Sequence, residues 1–396
     1  MSIRNISSEN ILQSYSFLAF IFLFPMSFIY HSVIGIIGFP AFLGGYFSFA
    51  SVVLVSIYFI VVFFITKKIP SNHIFFYLLM ISWLVFISLQ YVVSLESFNM
   101  DLYKWGLTGI LANVICFIIA SNADFDGTYI KKSLKFFLTL FFIIIVTNIN
   151  NGQFYLKLES GNDSLVTYQG FGLYALVTSL ALYVHAKNFR DKTFLFVLSF
   201  IILYLNGARS EFIFYVVSIL LITIIEIRPS FKIIKNLILL MFSIILASKF
   251  IEIPKDIMNN RTFQIIDITN SSSYIARDEL NDLAVSTIIN NPLIGSYGYY
   301  LNIFGIGGYA HNILSAWADL GFFIFLLIIT TSLYMFLFSL LKIYVIKSLK
   351  NNIRLLLIFS TSLLLGYFFA KDYTYMLFGF TVGLYINCLN YGYKRV

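Results

Sequence analysis

Apolar runs long enough to cross a lipid bilayer succeed one another along nearly the whole chain, separated by short polar gaps. A helix rising about 1.5 Å per residue needs about 20 residues to cover about 30 Å of hydrocarbon. The runs lie at residues 12–30, 46–66, 74–93, 105–120, 134–147 and 167–184, then at 194–205, 212–225, 233–247, 313–341, 355–370 and 373–389. Charged residues make up 11% of the chain, against about a quarter in soluble proteins. The expectation is an all-α polytopic membrane protein with about twelve transmembrane helices, forming one integral-membrane domain over residues 1–396. Residues 1–10 carry one Arg and one Glu and no small-residue cleavage site follows the first run, so that span is expected to be retained.

Basic residues set the orientation. With the N-terminus inside, Arg4, the even-numbered gaps and the C-terminus hold eighteen of the 26 lysines and arginines, from Lys67 and Lys68 through Lys342, Lys347, Lys350 and Arg354 to Arg395. The positive-inside rule then places both termini in the cytoplasm. The net charge of +8 is scattered in short clusters between apolar runs, which carries topology and excludes a nucleic-acid surface. Cys116 and Cys388 sit far apart inside apolar runs, spaced neither as a disulfide framework nor as a metal site, and read as core residues. No internal repeat of fixed period is visible, which gives a transporter reading little help.

The long exception to this pattern is residues 249–320, of which 249–312 form a large outer loop containing short helices. After Ser271-Ser272-Ser273, an N-cap signal, Leu280, Leu283, Ala284, Thr287 and Ile288 recur at helical spacing, and Pro292 stops the run. Arg277 falls in the first turns of that helix. A Tyr- and Gly-rich segment then leads to His311-Asn312 at the threshold of the next span. Tyr297, Tyr299, Tyr300 and Tyr309 suit stacking on sugar rings, and also suit a membrane interface on general grounds. His311 is one of four histidines; His31, His73 and His185 lie near span ends and read as incidental, at water interfaces. A neutral His311 ring at a cavity mouth can accept a proton from a sugar hydroxyl, or simply hold a local hydrogen bond.

Two further polar residues stand out against the apolar background. Residues 192–226 read as a hairpin whose legs of about fourteen residues reach only about 21 Å, which would recess Arg209 below the outer surface. An Arg so placed faces a water-filled cavity or a partner, Glu211 or an acid on another helix. Asp319, eight residues past His311, lies about two turns on. It reads equally as a group bordering the same cavity or as an acid that pairs with a base such as Arg209. No metal-ligand spacing, phosphate-cradling glycine loop or nucleophile elbow is present in the sequence, so no metal and no cofactor is expected.

The order Arg277, Asn291-Pro292-Leu293-Ile294-Gly295, His311-Asn312-Ile313-Leu314, Asp319-Leu320-Gly321 resembles the signature of the O-antigen polymerase and O-antigen ligase superfamily. Gly207-Ala208-Arg209-Ser210 is similar to that family's upstream small-residue/Arg-Ser element. The likeness covers residues 194–341 at motif level and the whole chain in topology. Two departures are present: Asp319 stands where the family usually has Glu, and Ser296-Tyr297 intervene before Gly298 where a second glycine often follows at once.

The resemblance implies a GT-C-like glycosyltransferase in the bacterial inner membrane, acting at the periplasmic face without metal or nucleotide. Its partners would be an undecaprenyl-diphosphate-linked oligosaccharide donor and acceptor, membrane lipid, and a chain-length regulator protein, with no nucleic acid. His311 would orient or deprotonate the acceptor hydroxyl, and Arg209 and Arg277 would stabilise the departing diphosphate. Asp319, Tyr297, Tyr309 and Asn312 would line the substrate site. Polymerase is the leading expectation, ligase transfer to lipid A-core the alternative. A lipid-linked oligosaccharide flippase is disfavoured because the spans carry few charges.

Overall fold

The structure is a computed structural model describing residues 8–37, 46–67, 69–93, 100–125, 128–150, 153–154, 167–186, 188–227, 272–305, 308–346 and 350–393. Its first nine helices are α1 (Ser8–Leu23), α2 (Pro25–Ile37), α3 (Tyr46–Val61), α4 (Ile74–Val93), α5 (Met100–Asn122), α6 (Thr128–Thr147), α7 (Tyr168–Tyr183), α8 (Phe189–Asn206) and α9 (Arg209–Ile227). Further along come α10 (Ser272–Asn290), α11 (Tyr299–Phe304), α12 (Leu314–Leu320), α13 (Phe322–Tyr344), α14 (Asn351–Phe369) and α15 (Leu377–Tyr393). The two-residue strands Ile149–Asn150 and Gln153–Phe154 pair antiparallel, Ile149 opposite Phe154. The expected span at 233–247, the loop residues before 272 and the second outer loop's Lys157, Glu159 and Asp163 lie outside the described residues.

Six helical segments among the described residues are long and apolar enough to cross a membrane: Asn10–Ile36, Tyr46–Thr66, Ser71–Gln90, Met100–Asn122, Phe322–Tyr344 and Asn351–Phe369. Leu377–Asn390 is a shorter apolar helix. The protein is therefore a multi-pass α-helical membrane protein. Its outward faces are apolar, with Leu18, Phe63, Phe64, Phe323 and Leu337 exposed. Several hydroxyls inside the helices are satisfied by the preceding turn, as when Ser27 donates to the Leu23 carbonyl and Ser332 to that of Ile328.

The closest packing joins α5 to α15. A Cβ on Gly379 would lie 2.0 Å from the Asn113 carbonyl oxygen, and one on Gly383 2.6 Å from that of Phe117. Two glycines four residues apart let the backbones touch, the small-xxx-small arrangement of membrane helix pairs. Buried amides lock the contact. The Asn113 side chain accepts from Gly379 N–H at 2.8 Å and donates to the Thr374 carbonyl at 3.1 Å. Asn387 donates to the carbonyls of Ala120 and Ala123 and accepts from Asn352.

A second helix pair, α9 against α14, runs antiparallel and is pinned at three levels. Glu211 meets Lys371 just beyond α14 at 2.5 Å, Ser218 shares a hydrogen bond with Ser362 at 2.8 Å, and Glu226 meets Arg354 at 2.5 Å. Glu226 also takes Lys192 at 2.6 Å, and the Arg354 guanidinium donates to the Val184 carbonyl. These inner charges explain why the hairpin is longer than its apolar runs. Paired with one another, they let α8 and α9 continue to 18 and 19 residues, about 27–28 Å. Arg209 stands at the other end of this hairpin, half-buried at the start of α9.

Three more expectations are corrected. The run at 313–341 breaks at Gly321, whose φ of +82° and close approach to the Leu293 carbonyl end α12 and start α13 afresh. The first run extends to Ile36 and is interrupted at Phe24, ahead of Pro25. His31 and His73 are each 1% exposed, away from water, with ring edges against Phe171 and Phe117 respectively.

Gly379→Val forces α5 and α15 apart at the Asn113 carbonyl, and overpacking of this kind costs at least ~2 kcal/mol. The expected outcome is a lower thermal midpoint of the detergent-solubilised protein, with Phe323→Leu on the lipid-facing side of α13 leaving it unchanged.

Candidate functional site

Polar residues of the 249–312 stretch reach the bundle on α10, which occupies the stretch expected from the Ser271–Ser273 signal and ends just before Pro292. The turn that follows is clamped onto α12. Gly295, at φ +73°, leaves no room for a side chain against Ala318 and Gly321. Ser296 N–H donates to the Ala318 carbonyl at 2.6 Å, Gly298 N–H to the Asp319 carboxylate at 3.1 Å, and the Trp317 indole to the Pro292 carbonyl at 2.8 Å. Asp319 is fully buried in this clamp. Tyr297 is buried as well, its hydroxyl donating to the Leu102 carbonyl at 3.0 Å over Gly106. These two residues hold the turn against α12 and α5 from inside the protein.

The clamp positions the segment 308–313. Asn312 donates to the Asn281 side chain of α10 at 2.8 Å and accepts from Leu314 N–H at 2.9 Å. Ile313 N–H reaches the Tyr367 carbonyl of α14 at 2.7 Å, and Ser315 accepts from Tyr373 N–H at 3.2 Å. His311 is thereby fixed between α10 and the segment 370–376 that joins α14 to α15. Its ring lies 4.8 Å from that of Tyr309, and Tyr309 stacks on Trp105 of α5 at 6.0 Å.

The electrostatics follow from this placement. Burial holds the His311 imidazole down at about 4, and the nearby Arg277 and Lys371 cations push the same way, against a hydrogen bond to the Ala370 backbone that favours the charged form. At neutral pH the ring is uncharged. With one N–H donated to the Ala370 carbonyl, its other nitrogen carries a lone pair. Tyr309, its phenol held above its usual range chiefly by burial, feels Asp372, Arg277 and Glu211 together.

Arg277, Tyr309, His311 and Asn312, all named from the sequence, thus come together at one end of the bundle. Tyr297 and Asp319 lie behind them as supports. Arg209 opens α9, half-buried, two residues before Glu211. Glu211, named from the sequence only as a partner for Arg209, completes the cluster with two charged groups and one aromatic that sequence reasoning passed over. Lys371 bridges to Glu211, whose other oxygen accepts from the Ser210 hydroxyl at 2.7 Å. Asp372 is buried beside them, Thr374 donating to its carboxylate at 2.8 Å, and burial raises its carboxyl to about 6. Trp105 supplies the ring behind Tyr309. The available signal was Lys371-Asp372 itself, two charges in a gap between apolar runs too short to be a solvated loop.

Among the described residues no three His, Cys, Asp or Glu side chains gather as metal ligands. The cluster offers instead cations, a neutral imidazole, a carboxyl that titrates near neutrality and stacked aromatic rings. A scan against protein-family models and a search of curated proteins both return no match to this chain.

The two shifted groups pull stability in opposite directions with pH. His311, lowered in the fold, contributes stability that is complete above its ordinary value of 6.5 and lost as pH falls toward about 4. Asp372, raised from 3.8 to about 6, contributes stability that is complete at low pH and lost as pH rises through 6. Relative to wild type, His311→Gln should gain in thermal midpoint as pH falls from 6.5 to 4, and Asp372→Asn should gain as pH rises from 4 to 6. Parallel curves for all three proteins would remove both assignments.

Proposed function

We propose that this chain is an O-antigen polymerase, a GT-C-like inverting glycosyltransferase of about twelve spans with both termini in the cytoplasm. It joins undecaprenyl-diphosphate-linked repeat units at the periplasmic face of the bacterial inner membrane, with no metal taking part. The observation that carries this reading is the meeting of Arg277, Tyr309, His311 and Lys371 at the end of the bundle that basic-residue placement assigns to the outside. Phosphate oxygens are matched by guanidinium and ammonium groups, a sugar hydroxyl by a neutral imidazole, and a sugar face by stacked aromatic rings.

The acceptor hydroxyl oxygen attacks the anomeric carbon of the donor glycan. The bond from that carbon to the diphosphate oxygen breaks, the electron pair leaves with the diphosphate, and the hydroxyl proton passes to His311. Arg277 and Arg209 meet the charge that develops on the leaving group. Asn312 holds the histidine segment to α10, while Asp319 and Tyr297 keep the 295–298 turn in place beneath it.

In a deletion strain, plasmid-borne Arg277→Ala, His311→Ala and Arg209→Ala are each expected to give at least ~100-fold less long-chain glycan than wild type at equal protein level. Wild-type ladders from all three would remove these roles. Single-repeat lipopolysaccharide in the deletion strain supports polymerase, whereas a complete loss of capped core indicates a ligase.

A further inference from the structure

The two ends of the α9–α14 pair are built differently. At the inner end Glu226 is enclosed by two cations, and Arg354 is further tied to a backbone carbonyl. At the outer end Glu211, fully buried, meets one ammonium, that of Lys371, which retains 14% exposure. An ammonium has three N–H donors, more than the one Glu211 oxygen beside it can take. The Glu211 carboxylate is anchored independently of Lys371 by the Ser210 hydroxyl. Lys371 sits at the start of a connecting segment rather than inside a helix, with its ammonium 5.6 Å above the Tyr375 ring. Its charge acts on His311 together with that of Arg277. An anion placed between the two cations would therefore rest against the histidine.

We infer that Lys371 is an anchor for a diphosphate group, held in the resting protein by Glu211, which acts as the site's own counter-anion until the diphosphate takes its place. A lysine suits this exchange because its charge is compact and its stem flexible, where an arginine fork would favour one fixed partner. A diphosphate carries more negative charge than a single carboxylate and also engages Arg277, so the ammonium gains by turning to it. Naming a lipid-borne diphosphate as the natural ligand rests on the proposed polymerase reading; the recognition itself is that of any diphosphate.

The test uses the full chain in lipid nanodiscs, titrated with inorganic pyrophosphate and separately with farnesyl diphosphate. Lys371→Gln is expected to weaken binding by about tenfold or more, Lys371→Arg by about threefold or less. Glu211→Gln should tighten it by about threefold, because the competing carboxylate is gone. If that variant does not fold, Glu211→Asp, whose shorter arm loosens the pair, probes the same direction. Equal affinity in wild type and Lys371→Gln, or weaker binding in both Glu211 variants, overturns the inference. Binding of pyrophosphate alone assigns recognition to the diphosphate, and binding of only the farnesyl form assigns it to the lipid headgroup with its tail. Glycan ladders that survive in the deletion strain, beside an intact Lys371 effect on pyrophosphate, would sink the polymerase reading and leave this site standing. Lost ladders beside unchanged pyrophosphate affinity would do the reverse.

Discussion

The contact of α5 with α15 through Gly379 and Gly383 is the constraint on which the rest of the candidate site depends. Between helices in lipid there is no hydrophobic gain to hold elements together, so close backbone packing and satisfied buried amides supply the specificity. Asn113 donates to Thr374 and accepts from Gly379, which ties the 370–376 segment to α5. Trp105 then falls beside Tyr309 and Tyr373, Lys371 is brought to His311 and Asp372 to Tyr309. The site is thus assembled by helix packing in its floor and by the α10 loop in its wall.

The α9–α14 pair adds register. Polar contacts at the top, middle and bottom of two antiparallel apolar helices forbid a slip of even one turn, since any shift would leave Glu211 or Glu226 buried without its cation. Charges in such helices are costly, and here each acid has a partner across the pair. Because α14 ends at the segment carrying Lys371 and Asp372, the register of this pair also sets the height of the cations relative to His311.

Local signals in the sequence were read correctly and long-range ones were not. The α10 helix, its start after a serine cluster and its stop at Pro292 rest on residues within a few positions of one another, as does the placing of Arg277 on its early turns. The α5–α15 contact joins residues 266 apart. Its two glycines look unremarkable until the opposing carbonyls are known. The hairpin's helices run on past its apolar legs, and at one end Glu226 is paired with Lys192 and Arg354. Asp319 and Tyr297, expected at the substrate site, make buried hydrogen bonds with Gly298 N–H and the Leu102 carbonyl that hold the 295–298 turn. Lys371 was counted toward topology alone, since nothing in its neighbours along the chain points to Glu211.

The state of His311 constrains how the proposed chemistry would run. An imidazole held at about 4 by burial and two cations is unprotonated at neutral pH and so available, but it is a weak base. General-base catalysis is most effective when the group's pKa lies near the working pH. Two of the three causes that lower it are the charges of Arg277 and Lys371, the groups the proposal assigns to the diphosphate. A bound diphosphate neutralises both charges where they act on the ring, which raises the proton affinity of His311 only in the loaded site. On this reading the cations serve the leaving group directly and the nucleophile indirectly. The empty site, with its histidine kept a poor base, has little capacity to activate water.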